Sequence, residues 1–142
     1  MANFDIEFDK LIFTEGGYVN DPDDTGGETY LGISRKHNPK WDGWKKIDSF
    51  KYISTIKKFN ETLKKDESIT ESAKNLYKSN YWDKLMLDHV PSQEIAHQLF
   101  DDAVNRGVAS AIRIAEHVMD MTVTGEFSDE LFYNLCKYGK NK

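Results

Sequence analysis

Between residues 16 and 34 the chain cannot continue as a helix. Gly16-Gly17 stops whatever precedes it, and Asn20-Asp21-Pro22-Asp23-Asp24-Thr25-Gly26-Gly27 is an unbroken run of turn formers. Tyr18-Val19 on one side and Thr29-Tyr30-Leu31-Gly32-Ile33 on the other are β-prone, so the spacing predicts two short strands joined by that loop in a small hairpin or sheet. The segments around this interruption carry helical periodicity. Ahead of it, Asn3 is placed to cap a helix with Asp5 and Glu7 in its first turn. Phe4, Phe8, Leu11 and Ile12 form its apolar stripe, and Glu15 falls in its last turn.

Downstream, residues 34 to 47 read as loop, with Pro39 and Gly43 beside two tryptophans, Trp41 and Trp44, that look exposed. Helices are expected from Ser49 to about Lys65, from a cap at Thr70 toward Trp82, and from a cap at Ser92 to a stop at Gly107. Two more run from Ala109 to about Met121 and from a cap at Ser128 to near Gly139. The fold class read from this order is α+β, mainly helical, with one small β element near the N-terminus. Residues 1–142 are expected to form a single domain.

Charge and cysteine content narrow the partners. The formal net charge is -5 and arginine is confined to Arg35, Arg106 and Arg113, which argues against a basic nucleic-acid face. A lone cysteine, Cys136, excludes an intrachain disulfide and suits a reducing compartment. The segment Met1 to Asp9 lacks the basic and apolar regions of a Sec signal, and no apolar run is long enough to span a membrane. His37, His89, His97 and His117 have no metal-ligand spacing, and His97 with Asp101 reads as a surface pair one helical turn apart. The loop from Asp21 imitates the opening of a calcium loop, but its twelfth position is Gly32 and a strand follows. The expectation is a monomer without metal or cofactor.

Cleavage of a glycosidic bond requires a proton for the leaving oxygen and, in most cases, a second carboxylate that activates water or steadies the oxocarbenium-like transition state. Glu15, on the end of a rigid helix, and Asp21, Asp23 and Asp24, on the wet loop that follows, are such a set. A glutamate backed by apolar helix residues stays protonated more readily than an aspartate on a solvated loop. Surface glutamates and turn-forming aspartates are also ordinary, so the spacing alone does not decide the matter.

The residues themselves go further. Glu15-Gly16-Gly17-Tyr18-Val19-Asn20-Asp21-Pro22, then Asp24-Thr25-Gly26-Gly27-Glu28-Thr29, then Gly32-Ile33-Ser34 resemble the N-terminal signature of glycoside hydrolase family 108. That family contains N-acetylmuramidases, among them phage endolysins and proteins once labelled secretion activators. Tyr81-Trp82-Asp83 and Phe100-Asp101-Asp102-Ala103-Val104-Asn105-Arg106-Gly107 resemble later family blocks, so the likeness spans about residues 3 to 125. It implies a lysozyme-like fold and hydrolysis of the β-1,4 bond between N-acetylmuramic acid and N-acetylglucosamine in peptidoglycan glycan strands. It places the general acid at Glu15, the second carboxylate at Asp24 and a water-holding hydroxyl at Thr29; Asp21 and Asp23 compete with Asp24.

Aromatics that could stack on sugars are Tyr18, Tyr30, Trp41, Trp44, Tyr81 and Trp82, although core packing is the better reading for any one of them, and Asn105 could equally bind an N-acetyl group or cap its helix. Thr122-Val123-Thr124-Gly125 departs from the family pattern, with threonine where an aspartate is usual. A C-terminal wall-binding region common in the family is expected to be missing or truncated. Two other readings of the same residues stay open, a lytic transglycosylase and a non-catalytic wall-binding or secretion-accessory protein. Lacking a Sec signal, such a protein would reach the wall through a holin or a dedicated secretion system.

Overall fold

Helix α1 (Phe4–Glu15) begins where Asn3 Oδ1 accepts the amide of Asp5 at 2.9 Å, which satisfies one of the donors a helix start leaves open. The structure is a computed structural model that describes all residues except Pro22, Asp24, Thr25, Gly26, Ser54, Asn141 and Lys142. After α1 come strands β1 (Val19–Asn20), β2 (Glu28–Tyr30) and β3 (Ile33–Ser34). Helices α2 (Gly43–Ser49), α3 (Ile56–Lys65), α4 (Glu67–Tyr77), α5 (Gln93–Arg106), α6 (Val108–Val118) and α7 (Asp129–Lys140) follow. The expected class, α+β and mainly helical with a small sheet near the N-terminus, is what the chain adopts. The chain divides into two compact units, one of Asp9–Leu76 and one of Met1–Phe8 with Tyr77–Lys142.

The first of these carries the sheet. Its strands run in the order β1-β2-β3, antiparallel throughout, with Val19 opposite Thr29, Asn20 opposite Glu28, Thr29 opposite Ser34 and Tyr30 opposite Ile33. The stretch 29–33, expected as one strand, is in fact a tight hairpin. Leu31 and Gly32 both have positive φ, 50° and 79°, as a two-residue turn between twisted antiparallel strands requires. The two tryptophans expected on the surface are buried. They meet edge to face with ring centroids 5.1 Å apart, Trp44 Nε1 donates to the Asn38 carbonyl at 2.8 Å, and Trp41 Nε1 donates to Ser72 Oγ at 2.9 Å. Loop composition misled here because each indole found a partner for its N–H, which removes the cost of burying it. Gly43 is required at the start of α2, since a Cβ there would lie 2.3 Å from the Trp41 ring.

The helix expected from Ser49 to Lys65 is broken. Helix α2 ends at Ser49, and α3 starts afresh where Thr55 Oγ1 accepts the Lys58 amide at 3.2 Å. Helix α4 is capped four residues earlier than expected, at Asp66, whose Oδ1 accepts the amides of Ser68 at 3.0 Å and Ile69 at 3.2 Å.

The second unit is helical among its described residues, and its core is aromatic. Phe4, Trp82 and Phe100 surround one another at centroid separations of 5.4 to 5.7 Å, all at steep interplanar angles, and Phe8 and Tyr77 extend the cluster. Caps at Ser92 and Ser128 stand as expected, accepting the amides of Ile95 at 3.2 Å and Leu131 at 3.0 Å, and Gly107, with φ of 94°, ends α5. No helix of the described residues is long and apolar enough to cross a membrane.

Two glutamates are buried in this unit, and each is matched. Glu116 on α6 accepts the amides of Thr124 and Gly125 and the Thr124 hydroxyl, at 2.8 to 2.9 Å. Those bonds, led by the one from Gly125, hold its carboxyl below the usual range against the opposing effect of desolvation. The departure from the family pattern around Thr124 therefore has a structural occupation. Glu7, expected as a helix-start charge, instead receives Gln93 Nε2 at 2.6 Å and pairs with His97 Nδ1 at 2.5 Å. His97 thus pairs with Glu7, while Asp101, its expected partner, accepts from Asn105. Truncating Glu7 removes a buried acceptor from Gln93 and the partner of a half-exposed His97, and leaves a gap where the carboxyl was. Glu7→Ala is expected to lower unfolding free energy by about 2–3 kcal/mol, read as a lower denaturation midpoint in urea with an unchanged slope.

Candidate active site

Glu15 is the last residue of α1, and its side chain is exposed. The helix stops there because Gly16 takes φ of 67°, a conformation that costs little without a Cβ. Gly17 then lies against α3: a Cβ at this position would come 2.4 Å from Asn60 Oδ1. The same oxygen accepts the Tyr18 amide at 2.7 Å, while Asn60 Nδ2 donates to the Ile56 carbonyl at 3.2 Å and so fixes which way the amide faces. The turn that carries the chain away from Glu15 is thereby tied to a helix.

Tyr18 continues the attachment. Its ring meets Phe59 edge to face at 4.9 Å, and its hydroxyl donates to Glu28 Oε2 on β2. Glu28, with a side chain only 13% exposed, also receives Lys51 Nζ on Oε2 at 2.6 Å and Arg35 Nη1 on Oε1 at 3.0 Å. Arg35 grips Asp48 through two parallel bonds of 2.8 Å, and Lys51 reaches the same carboxylate at 2.8 Å. Two carboxylates and two cations thus close a network at the base of the aspartate loop.

The electrostatics follow from those contacts. Desolvation pushes the Glu28 carboxyl up, but hydrogen bonds from Lys51, Tyr18 and Arg35 outweigh it and the net displacement is downward. Asp48 is held far below the usual carboxylate range, chiefly by Arg35. Burial, and then the bond to Glu28, push the Tyr18 phenol up to about 12, so it stays a donor.

The other expected site residues lie in different settings. Thr29 sits half-buried in the central strand, and strand pleating directs its side chain to the face opposite Glu28 and Tyr30. Asp21 and Asp23 are exposed, and Asp21 Oδ1 accepts the Asp23 amide at 2.9 Å, an Asx-turn at the mouth of the loop. Asp24 lies outside the described residues. Tyr30 and Trp82 must be corrected as sugar platforms. Both are fully buried, and Trp82 Nε1 is committed to Asp88 Oδ1 at 2.8 Å, so neither has a face open to stack on a ring. Trp41 and Trp44 are corrected on the same ground. In the helical unit, Tyr81 is half-buried against Tyr77, and Asn105 is exposed on α5 with its amide donating to Asp101 at 3.2 Å.

Sequence reasoning missed Asn60 and the network of Glu28, Arg35, Asp48 and Lys51. Glu28 had a signal, its place beside Thr29 in the quoted block. The others come from segments far apart in sequence and carry no local mark. Among the described residues, no three or more of His, Cys, Asp and Glu are grouped to hold a metal ion.

Comparison with known proteins agrees with the residues. The profile of the family described as glycosyl hydrolase 108 matches residues 8–107. The solved structure of SagA from Brucella abortus is similar, with a TM-score of 0.66 and 26% identity over 94% of this chain and 68% of that one. That likeness, with the order of helices and sheet, supports the lysozyme-like α+β fold expected from the signature. No curated protein sequence matches the chain.

The depressed carboxyls have a consequence for acid stability. A carboxyl titrating lower in the folded than in the unfolded chain contributes stability that is complete above the unfolded value, about 3.9 to 4.3. That contribution is lost as pH falls through the folded value. Asp48→Asn should therefore lower the melting temperature at pH 7 and flatten its decline as pH falls from about 5 toward 2. Thermal melts of both proteins across that range measure the difference.

Proposed function

Because the chain belongs to the glycosyl hydrolase 108 family, we propose that this glycosidase is an N-acetylmuramidase acting on peptidoglycan glycan strands. In this reading it cleaves the β-1,4 bond between N-acetylmuramic acid and N-acetylglucosamine, with Glu15 as the general acid. The observation that carries the proposal is the setting of Glu15: an exposed carboxyl on a helix end, in a turn that Asn60 and Tyr18 tie to α3 and β2. A proton donor must be open to the substrate and yet keep a constant position, and that turn meets both needs.

The apolar surround expected for Glu15 is not supplied by its neighbours, since its side chain stands in solvent. A polysaccharide laid over it would exclude that water and favour the neutral, proton-donating form. Glu15 then delivers its proton to the glycosidic oxygen. Positive charge grows at the anomeric carbon, and an ionised carboxylate from the aspartate loop, assigned to Asp24, steadies it or draws a proton from water. Thr29, in the middle strand, offers a hydroxyl to orient that water.

Digestion of purified peptidoglycan followed by mass spectrometry of the fragments tests the assignment. Wild type should release chains ending in reducing N-acetylmuramic acid, and Glu15→Gln should slow release by roughly 10²–10⁴-fold without loss of fold. Chains ending in 1,6-anhydro sugars would replace the hydrolase with a transglycosylase. A wild type that binds the wall without cutting it would leave a binding protein on the same fold.

A further inference from the structure

We propose that Glu28 is the positioning residue of the site, a latch that holds the turn bearing Glu15 and the base of the aspartate loop in one register with Thr29. This rests on the catalytic reading above for its consequence, though not for its geometry. The loop 21–27 leaves β1 after Asn20 and returns to β2 at Glu28, its cross-strand partner. Strands β1 and β2 pair through only two residue couples, too little ladder to hold an antiparallel pair in water. A one-residue slip would turn every side chain of β2 to the other face and carry the Thr29 hydroxyl with it.

The side chain of Glu28 supplies what the ladder lacks. One oxygen takes the Tyr18 hydroxyl, three residues beyond Glu15, and Lys51; the other takes Arg35. Arg35 and Lys51 are in turn pinned by Asp48 on α2. Both oxygens are engaged by donors, so Glu28 is held ionised and occupied. That makes it unsuited to proton transfer and suited to fixing where its neighbours stand. Because Tyr18 is also tied to Asn60, the latch and α3 grip the turn after Glu15 from two sides.

The test compares Glu28→Gln, Tyr18→Phe and the double variant with wild type, in two measurements made well below melting. The first is steady-state cleavage of peptidoglycan. Each single variant should lose kcat on the order of 10- to 100-fold with KM little changed, and the double should be no worse than the poorer single, because the contact that Tyr18→Phe removes is among those that Glu28→Gln disturbs. Glu116→Ala, which weakens the helical unit and leaves the latch alone, should keep its kcat. The second measurement is hydrogen exchange at the backbone amides of Val19 and Thr29, the couple whose backbone polar groups face each other across β1 and β2, which should lose protection in both latch variants and not in Glu116→Ala. Unaltered kcat in folded latch variants, losses that multiply in the double, or unchanged protection of those amides would each overturn the proposal. Should wild type fail to cleave any glycan, the catalytic reading falls, and exchange alone decides: lost protection supports the latch, unchanged protection overturns it.

Discussion

A carboxylate largely withdrawn from water on a three-residue strand has to be met by donors, and at Glu28 the donors come from Tyr18, Arg35 and Lys51. Much of the local order of the sheet-bearing unit can be traced to that requirement. Meeting it brings the segment after α1 onto β2, and the segments on both sides of α2 onto the same spot. Glu28, with a side chain 13% exposed, is costly to leave unmatched, while Arg35, Lys51 and Asp48 keep part of their surface in water. Such interdependence suits a sheet whose strands are too short to define their own register.

The helical unit solves a different problem. In its core Phe4, Trp82 and Phe100 are set at steep angles; the phenylalanines fill volume without requiring polar partners, and the indole of Trp82 has one in Asp88. The charged groups that do enter it are given donors from nearby backbone or side chains. Glu116 organises the Thr124-Gly125 turn, and Glu7 ties the first turns of α1 to α5 through Gln93 and His97. Both glutamates act in packing, and neither has an oxygen left for chemistry. An acid for catalysis is therefore better sought at the exposed end of α1.

Periodicity and caps made most of the architecture legible. Gly16-Gly17 had to end a helix, Ser92 and Ser128 had to start others, and Gly107 had to end one. These are local effects of φ preference and of side-chain oxygens within reach of the next amides. Legibility failed where a local preference was overridden from a distance. Trp41 and Trp44 sit in a loop-like composition, yet each indole N–H meets an oxygen and the pair is buried. Residues 29–33 read as a continuous strand, but Leu31 accepts a positive φ so that β2 and β3 can pair.

The sequence by itself determined the family, the end of α1 and with it the place of Glu15, because a short block of glycines, aspartates and one glutamate records constraints acting within a few residues. Tertiary structure alone decided which aromatics keep an open face, removing Tyr30 and Trp82 from solvent, and which charges meet. Glu28, Arg35, Asp48, Lys51 and Asn60 come together from strand, loop and two helices. An ion pair or a hydrogen bond leaves no periodic trace along the chain, since its strength depends on distance in space and on lost solvent.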